Sequence, residues 1–408
     1  MIRTEERLSP RPARPPVFDL ALALAVFAGS LLSLLHLRIH PQRFPLDLDV
    51  YREAGRSALH HRDPYSPGFG ESLRIKLPFT YPPFAALVFV PLALLPRTAL
   101  LVAWTALCIG LFGIIVHVAV RPALLARGWS HPAVLAAAAG VLVWSVPVAQ
   151  TISYGQINLV LVAACLLDCG VTPRALGKRR GVLVGIATAI KLTPGIFIVY
   201  FALTRQWAAA ARAAVTAAAC AALAFVVAPG PSREFWLHLV FDDKRPGSPA
   251  YYGNQSLLGA LERMHAVWLW VPLGIALGCI GLWRATRAHH AGAEVTAVAL
   301  VGLTALVVSP ISWQHHAVWI VPAAAALVAW ATTPKRAAIA ILAVAVFLFP
   351  LDYWGQRLSS LGGSPWITEV LRNAFALAVI ALLLLLPLPS LSSSLSRDAA
   401  PGGPRRVA

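Results

Sequence analysis

The sequence predicts an all-α polytopic membrane protein, and three features carry that prediction. Its 408 residues are 58% hydrophobic and only 12% charged, with a mean hydropathy of +0.70, whereas a soluble domain holds roughly 25% charged residues. Apolar stretches recur, each approaching the roughly 20 residues that a helix needs to cross about 30 Å of hydrocarbon. Lys and Arg gather between those stretches, as the positive-inside rule requires of a chain threaded repeatedly through a bilayer.

Crossing helices are expected at Leu20–Leu35, Leu100–Val120, Pro132–Val148, Ile157–Leu167, Ala213–Val227, Val267–Trp283, Ala291–Val308, Ala317–Ala331, Ala337–Phe349 and Ala374–Leu386. The first run lacks a small-residue cleavage site and leads into a long polar loop, so it reads as a span rather than a signal peptide. Two further apolar stretches are interrupted: Phe79–Leu95 carries Tyr81-Pro82-Pro83, and Val182–Leu203 carries Lys191-Leu192-Thr193-Pro194. Both are expected as broken or re-entrant helices, because irregular backbone at membrane depth is tolerated only beside protein or a wet cavity. Counted as true spans, they raise the total from about ten to about twelve.

Orientation follows from the basic residues. With the N-terminus inside and the two interrupted stretches not crossing, Arg174-Lys178-Arg179-Arg180, Arg205 with Arg212, Arg284 with Arg287, Lys335-Arg336 and Arg405-Arg406 all fall in the cytoplasm. The same threading puts loops 38–78, 232–266 and 351–370 outside, with the turns near Tyr154 and Ser312. It divides the chain into a cytoplasmic tail 1–19, one membrane unit 20–388 and a cytoplasmic tail 389–408, and implies a multi-pass protein of the plasma membrane.

The net charge of +17 is spread between apolar segments, which fits topology and anionic head groups rather than the single basic face of a nucleic-acid binder. Nucleic acid is therefore not an expected partner, whereas membrane lipid is. Cys108, Cys165, Cys169, Cys220 and Cys279 all lie in apolar stretches, where they read as packing residues rather than disulfides. No internal repeat is visible, which counts against a transporter built from inverted repeats.

Polar chemistry is concentrated in the expected external segments. Of 17 acidic residues, Asp47, Asp49, Glu53, Asp63 and Glu71 crowd into the first loop, where Leu46–Ala54 reads as the start of an interfacial helix. A carboxylate there serves either as a general base for a sugar hydroxyl or as a helix cap. Ser309-Pro310-Ile311-Ser312-Trp313-Gln314-His315-His316 offers imidazoles, an amide and an indole face, suited to a phosphate or a sugar, or else to interfacial anchoring. Adjacent histidines point different ways on a helix, which argues against a metal pair. Tyr252-Gly253-Asn254-Gln255-Ser256 with Arg263 closes the second external loop; its sequon-like Asn254-Gln255-Ser256 reads as a packed amide turn. Asp242-Asp243 resembles an acid pair for a metal-bound phosphate, although Lys244-Arg245 beside it competes for the charge. Lys191 is the one basic residue inside an apolar stretch, which marks it as functional unless it pairs with Asp168.

Taken together, Asp47-Leu48-x-Val50-Tyr51, Tyr81-Pro82-Pro83, Tyr154-Gly155-Gln156-x-Asn158, Lys191-Leu192-x-Pro194, Asn254-Gln255-Ser256 and Ser309-Pro310-x-Ser312-Trp313-x-His315-His316 resemble the polyprenol-phosphate-mannose-dependent α-(1→2) mannosyltransferases of actinobacteria. Those enzymes, of the GT-C class, build phosphatidylinositol mannosides and lipomannan. The resemblance implies a many-helix GT-C fold, a polyprenyl-phosphate sugar donor at the outer leaflet and a glycolipid or lipoglycan acceptor. It implies a catalytic Asp in the first external loop, matched by Asp47 with Asp49 as its rival. Donor phosphate would be met by His315, His316, Arg263 and Lys191. Substrate would be met by Trp313, Tyr51, Asn254, Gln255, Tyr154, Gln156, Asn158 and Tyr81. The implied reaction is an inverting transfer with no cofactor: a monophosphate leaving group needs no metal, and the Asp242–Arg245 segment is where a divalent cation stays open. The alternative functions are a flippase or transporter of lipid-linked sugars, for which only Asp168, Lys191 and Glu294 offer intramembrane charge, and a non-catalytic envelope-assembly subunit. Sequence gives no oligomeric state.

Overall fold

The computed structural model describes residues 45–71, 73, 76–171, 177–242, 245 and 247–388. The expected first span Leu20–Leu35, both tails, Arg174, Asp243 and Lys244 lie outside the described residues. Among those described, every regular element is a helix, and one isolated bridge pairs Asn254 with Trp313.

In chain order the α-helices are α1 (Leu46–Leu59), α2 (Pro83–Val88) and α3 (Val90–Leu94), then α4 (Arg97–Ala126), which includes one π-helical turn. They continue as α5 (Pro132–Trp144), α6 (Val146–Tyr154), α7 (Asn158–Asp168), α8 (Val182–Ile190), α9 (Ile196–Leu203), α10 (Trp207–Val227), α11 (Pro229–Leu237) and α12 (Leu257–Arg263). The rest are α13 (Val267–His290), α14 (Glu294–Val308), α15 (Ile320–Trp330), α16 (Pro334–Ala345), α17 (Leu351–Ser360), α18 (Pro365–Arg372) and α19 (Ala374–Leu385). Helices α4, α10 and α13 are long and apolar enough to cross a bilayer. The pairs α5/α6, Pro334–Leu348 with α17, and α18/α19 pass the same test together but bend by 70°, 59° and 63°.

The α5/α6 bend replaces the straight span expected at Pro132–Val148. Pro147 has no N–H to donate and its ring collides with the turn before it, so the helix stops at Ser145 (ψ 137°) and restarts at Val146. The expected external loops are also more ordered than their sequence suggests, holding α1, α11, α12, α17 and α18.

The core is α14 with α15. Residues Ala297 through Val301 are fully buried, as are Ile320, Val321 and Ala323, which fits helices that are apolar all round. Helices α10 and α13 instead turn Val215, Val226 and Ile275 outward, the pattern of lipid-facing surface.

The interrupted stretch Val182–Leu203 is a hairpin. Arm α8 begins where Asp168 accepts hydrogen bonds from the N–H groups of Gly181 (2.7 Å) and Val184 (2.8 Å). Arm α9 returns to the same end of the bundle, where the Tyr200 hydroxyl donates to Glu294 at 2.7 Å. Lys191 and Leu192 form the apex, and Pro194 within a 3-10 turn keeps the chain from continuing as one helix. The interruption that the sequence predicts here is thus a fold-back of two short arms.

Helix α1 presents Leu48, Tyr51, Ala54 and Gly55 to the bundle, a spacing that lines one helical face. Gly55 sets its depth: a Cβ there would lie 2.2 Å from the Phe89 carbonyl oxygen, between α2 and α3. Gly55→Val is expected to lift α1 off that surface and destabilise the protein by about 1–3 kcal/mol, read as a lower Tm in detergent.

Candidate active site

Asp47 occupies the first turn of α1 without capping it: the helix N-cap is Pro45, and no side chain caps it. The carboxylate is half-buried and stands where two cavities meet. Burial pushes its pKa up to about 6, against a hydrogen bond from Gln156 and the charge of Lys191, which both lower it. Its rival Asp49 faces away, joined to the Arg97 guanidinium by two contacts of 2.9 and 3.3 Å, and lines neither cavity.

The first cavity, about 580 Å³, has apolar walls that include Phe235, Leu239, Phe241 and Trp270, with Lys191, His316 and Arg245 as its cations or imidazole. Lys191 Nζ lies 3.1 Å from Asn158 Oδ1 and 3.0 Å from His316 Nε2, and 5.5 Å from the centre of the Tyr81 ring. Its expected alternative partner, Asp168, is instead spent on the start of α8. The hairpin explains this correction, because its fold carries Lys191 to the end of the bundle opposite Asp168.

The second cavity, about 670 Å³, is lined by Tyr154, Tyr251, Tyr252 and Tyr353 together with Gln150 and Gln314. Phenol rings and side-chain amides are the groups that stack on and hydrogen-bond to sugars. Gln150 Nε2 donates to Gln314 Oε1 at 2.5 Å, and Gln314 Nε2 donates in turn to the buried Asp352 carboxylate. Asp47, Thr80, Tyr81 and Trp313 line both cavities.

The two histidines diverge as their adjacency predicts, with ring planes at 85°. His316 turns to Lys191, whereas His315 packs edge-on against Tyr154 in the second cavity. The His315 backbone carbonyl accepts from Thr151 Oγ1 (3.0 Å) and Asn158 Nδ2 (2.8 Å), so Asn158 ties the histidine turn to Lys191. Behind Asp47, Gln156 Oε1 lies 2.8 Å from the Tyr51 hydroxyl and 3.2 Å from that of Tyr81.

Three residues of the 232–266 segment line neither cavity. Arg263 donates to Asn373 Oδ1 (3.0 and 2.6 Å) and to the carbonyls of Tyr251 and Asn254. Asn254 donates to the carbonyls of Pro249 and Pro310 and accepts from the N–H groups of Ser256 and Ser312. Gln255 bonds to Tyr252, Arg372 and Ala376. These bonds, with the Asn254–Trp313 bridge, fix the loop that presents Trp313. The amide turn is packed, as its sequence suggests.

Sequence reasoning missed Arg245 as a site residue and treated it only as a competitor for Asp242. Its guanidinium lies 5.4 Å from the centre of the Tyr65 ring and faces the first cavity, while its backbone N–H donates to Asp242 Oδ1 at 3.2 Å. The available signal was an Arg in a polar loop with aromatic residues on both sides. Among the described residues, no three His, Cys, Asp or Glu side chains are placed to hold a metal ion.

A helical membrane scaffold that brings one carboxylate between an apolar, basic chamber and a tyrosine-lined chamber has the anatomy of a GT-C-type glycosyltransferase. Residues 79–310 match the model of glycosyltransferase family 87. The chain is 34% identical over 324 residues to the polyprenol-phosphate-mannose-dependent alpha-(1-2)-phosphatidylinositol mannoside mannosyltransferase of Mycobacterium tuberculosis, covering 74% of each chain. It is 35% identical over 306 residues to the protein of that name from Mycolicibacterium smegmatis, covering 68% of each. A polyprenol-phosphate-mannose-dependent alpha-(1-2)-phosphatidylinositol pentamannoside mannosyltransferase of the same organism is 35% identical over 297 residues, 71% of this chain and 68% of that one. No solved structure matches. The chain belongs to glycosyltransferase family 87. The family match includes Tyr81, Gln156, Asn158 and Lys191, while Asp47 lies well before its start and Trp313–His316 just after its end.

Because the Asp49–Arg97 pair is partly exposed, it is expected to add no more than about 1 kcal/mol. Asp49→Asn should therefore lower Tm only slightly and leave sugar transfer within about a factor of three, measured on purified protein.

Proposed function

We propose that this glycosyltransferase moves a mannosyl residue from polyprenyl phosphate mannose to a hydroxyl of a phosphatidylinositol mannoside or related lipoglycan. The names of its relatives support that donor and acceptor class. The observation that carries the reading is the position of Asp47, which lines both the apolar chamber and the tyrosine chamber.

In this reading the lipid donor lies in the apolar chamber with its phosphate toward Lys191, His316 and Arg245, and the acceptor glycan lies among the tyrosines. Asp47 accepts the proton of the acceptor hydroxyl as its oxygen bonds to the anomeric carbon. The bond from that carbon to the phosphate oxygen breaks with inversion, and the electron pair leaves on polyprenyl phosphate. The Lys191 ammonium stabilises the charge that develops there. Trp313, at the boundary of both chambers, offers a face for the transferred ring. No step calls for a metal or other cofactor.

The membrane unit 20–388 acts between cytoplasmic tails 1–19 and 389–408, with the site on the extracytoplasmic face of the plasma membrane. Arg180 donates to the carbonyls of Asp168 and Cys169, and Arg212 to that of Arg180, at the end of the bundle opposite the Lys191 apex, and basic residues at that end support the orientation. A membrane-impermeant thiol reagent tests it on a cysteine-free background. Glu71→Cys should label in intact cells and Ser394→Cys only after lysis; labelling of both from one side would overturn the threading.

Asp47→Asn keeps the side-chain shape and removes the proton acceptor. It should leave protein yield unchanged and lower transfer from polyprenyl phosphate mannose about 10²–10⁴-fold. Full activity in Asp47→Asn would end the assignment of this carboxylate as the base.

A further inference from the structure

Asp47 is held from behind by a network that the transfer step does not consume. Gln156 is 3% exposed and follows Gly155, whose left-handed φ of 72° closes helix α6. The N–H groups of Gly155 and Gln156 bond back to the carbonyls of Ile152 and Thr151, a C-terminal motif that fixes where the next side chain points. The Tyr51 and Tyr81 hydroxyls are 2.7 Å apart, and both lie within hydrogen-bond distance of Gln156 Oε1. Whichever phenol donates to the other, one phenolic proton ends on that oxygen. The polar atom left on the side chain is Nε2, on the Asp47 side of the amide, and Gln156 and Asp47 line the first cavity together.

Turning the amide over would set Oε1 against the carboxylate, acceptor against acceptor, and strand a phenolic proton. The rings cannot swing to follow. Tyr51 is fully buried, stacked on Phe89 at 4.5 Å and edge-on to Trp104 and Tyr81.

We propose that Gln156 is a positioning residue for Asp47, and that Tyr51 and Tyr81 lock the sense of its amide so that an N–H always faces the carboxylate. This rests on the reading of Asp47 as the base and deepens it. Tyr51 and Tyr81, which the resemblance implies are substrate contacts, act on this view through Gln156. A hydrogen bond to the ionised carboxyl favours that form, so the lock keeps the proton acceptor available at lower pH than burial alone would allow. The charged and titratable groups around Asp47 are Tyr51 on its own helix, Tyr81 on the segment entering α2, and Lys191 at the hairpin apex with His316 beyond it; Tyr65, Asp242 and Arg245 line the first cavity with it, and Tyr154 and His315 the second. Only Lys191 shares the effect of Gln156.

The test is the pH dependence of kcat/KM between about pH 5 and 9, with polyprenyl phosphate mannose and envelope lipid acceptor. Losing the N–H that faces the carboxylate raises the pKa of Asp47, so activity should fail at a higher pH as the solution is made more acidic. Both the Tyr51→Phe/Tyr81→Phe double variant and Gln156→Leu should move the acidic limb up by about one pH unit, with most activity regained on the alkaline side. Adding the two tyrosine changes to Gln156→Leu should move it no further. Should the double variant not accumulate, Gln156→Leu decides alone. Equal loss at every pH, or shifts that add, would overturn the lock and leave Gln156 as structural support. An unmoved limb with Asp47→Asn inactive overturns the lock alone, whereas an active Asp47→Asn overturns the base and the lock together.

Discussion

The arrangement of the site depends on keeping one ammonium, Lys191, inside a bundle that has shed most of its charge. An unpaired charge in an apolar interior is expensive, so its neighbours must supply what water would have supplied. Asn158, the His316 imidazole, the face of Tyr81 and the field of Asp47 do so together. Each neighbour is placed by a break in a helix: Asn158 starts α7 after the Gly155 turn, Tyr81 precedes the Pro-Pro start of α2, and His316 lies in a 3-10 turn before α15. Irregular backbone collects where polar groups are needed, because regular helices leave no backbone group free to turn inward.

The same logic divides the bundle into rigid and working parts. Helices α14 and α15 bury almost every side chain and supply the frame. The chemistry-bearing residues lie on α1, the hairpin apex and the turn after α14, all short pieces held by side-chain hydrogen bonds. Arg263, Asn254 and Gln255 belong to that support. They never reach a chamber, yet their removal would free Trp313 from its bridge.

The fold class, a helix at Leu46–Ala54, the break at Lys191-Leu192-Thr193-Pro194 and the gathering of polar motifs at one end were legible in the sequence. Composition and proline placement govern them directly. The bent α5/α6 pair was legible only in part, since Pro147 was visible but its strong effect on direction was not. Lys191 was singled out as a candidate, yet its partner was not found, because choosing between Asp168 and the far end of the bundle requires knowing that α8 and α9 fold back on each other. The separation of Asp47 from Asp49 illustrates the same limit. The two are a short step apart along the chain, but about 200° apart around a helix, so one enters the cavities and the other meets Arg97. Arg245 was hidden because its neighbour Tyr65 is distant in sequence.

Trp313 and Asp47 stand at the wall between two chambers, each with its own lining. If the proposed donor and acceptor take one chamber each, two lipid-borne molecules are held side by side, and neither needs to vacate its place before the other enters. Such a partitioned floor plan suits a ternary complex and a direct handover rather than a relay through a sugar-loaded enzyme. It also means that the spent carrier and the lengthened glycolipid need not depart in a fixed order, so inhibition by one product should leave the other's chamber free to exchange.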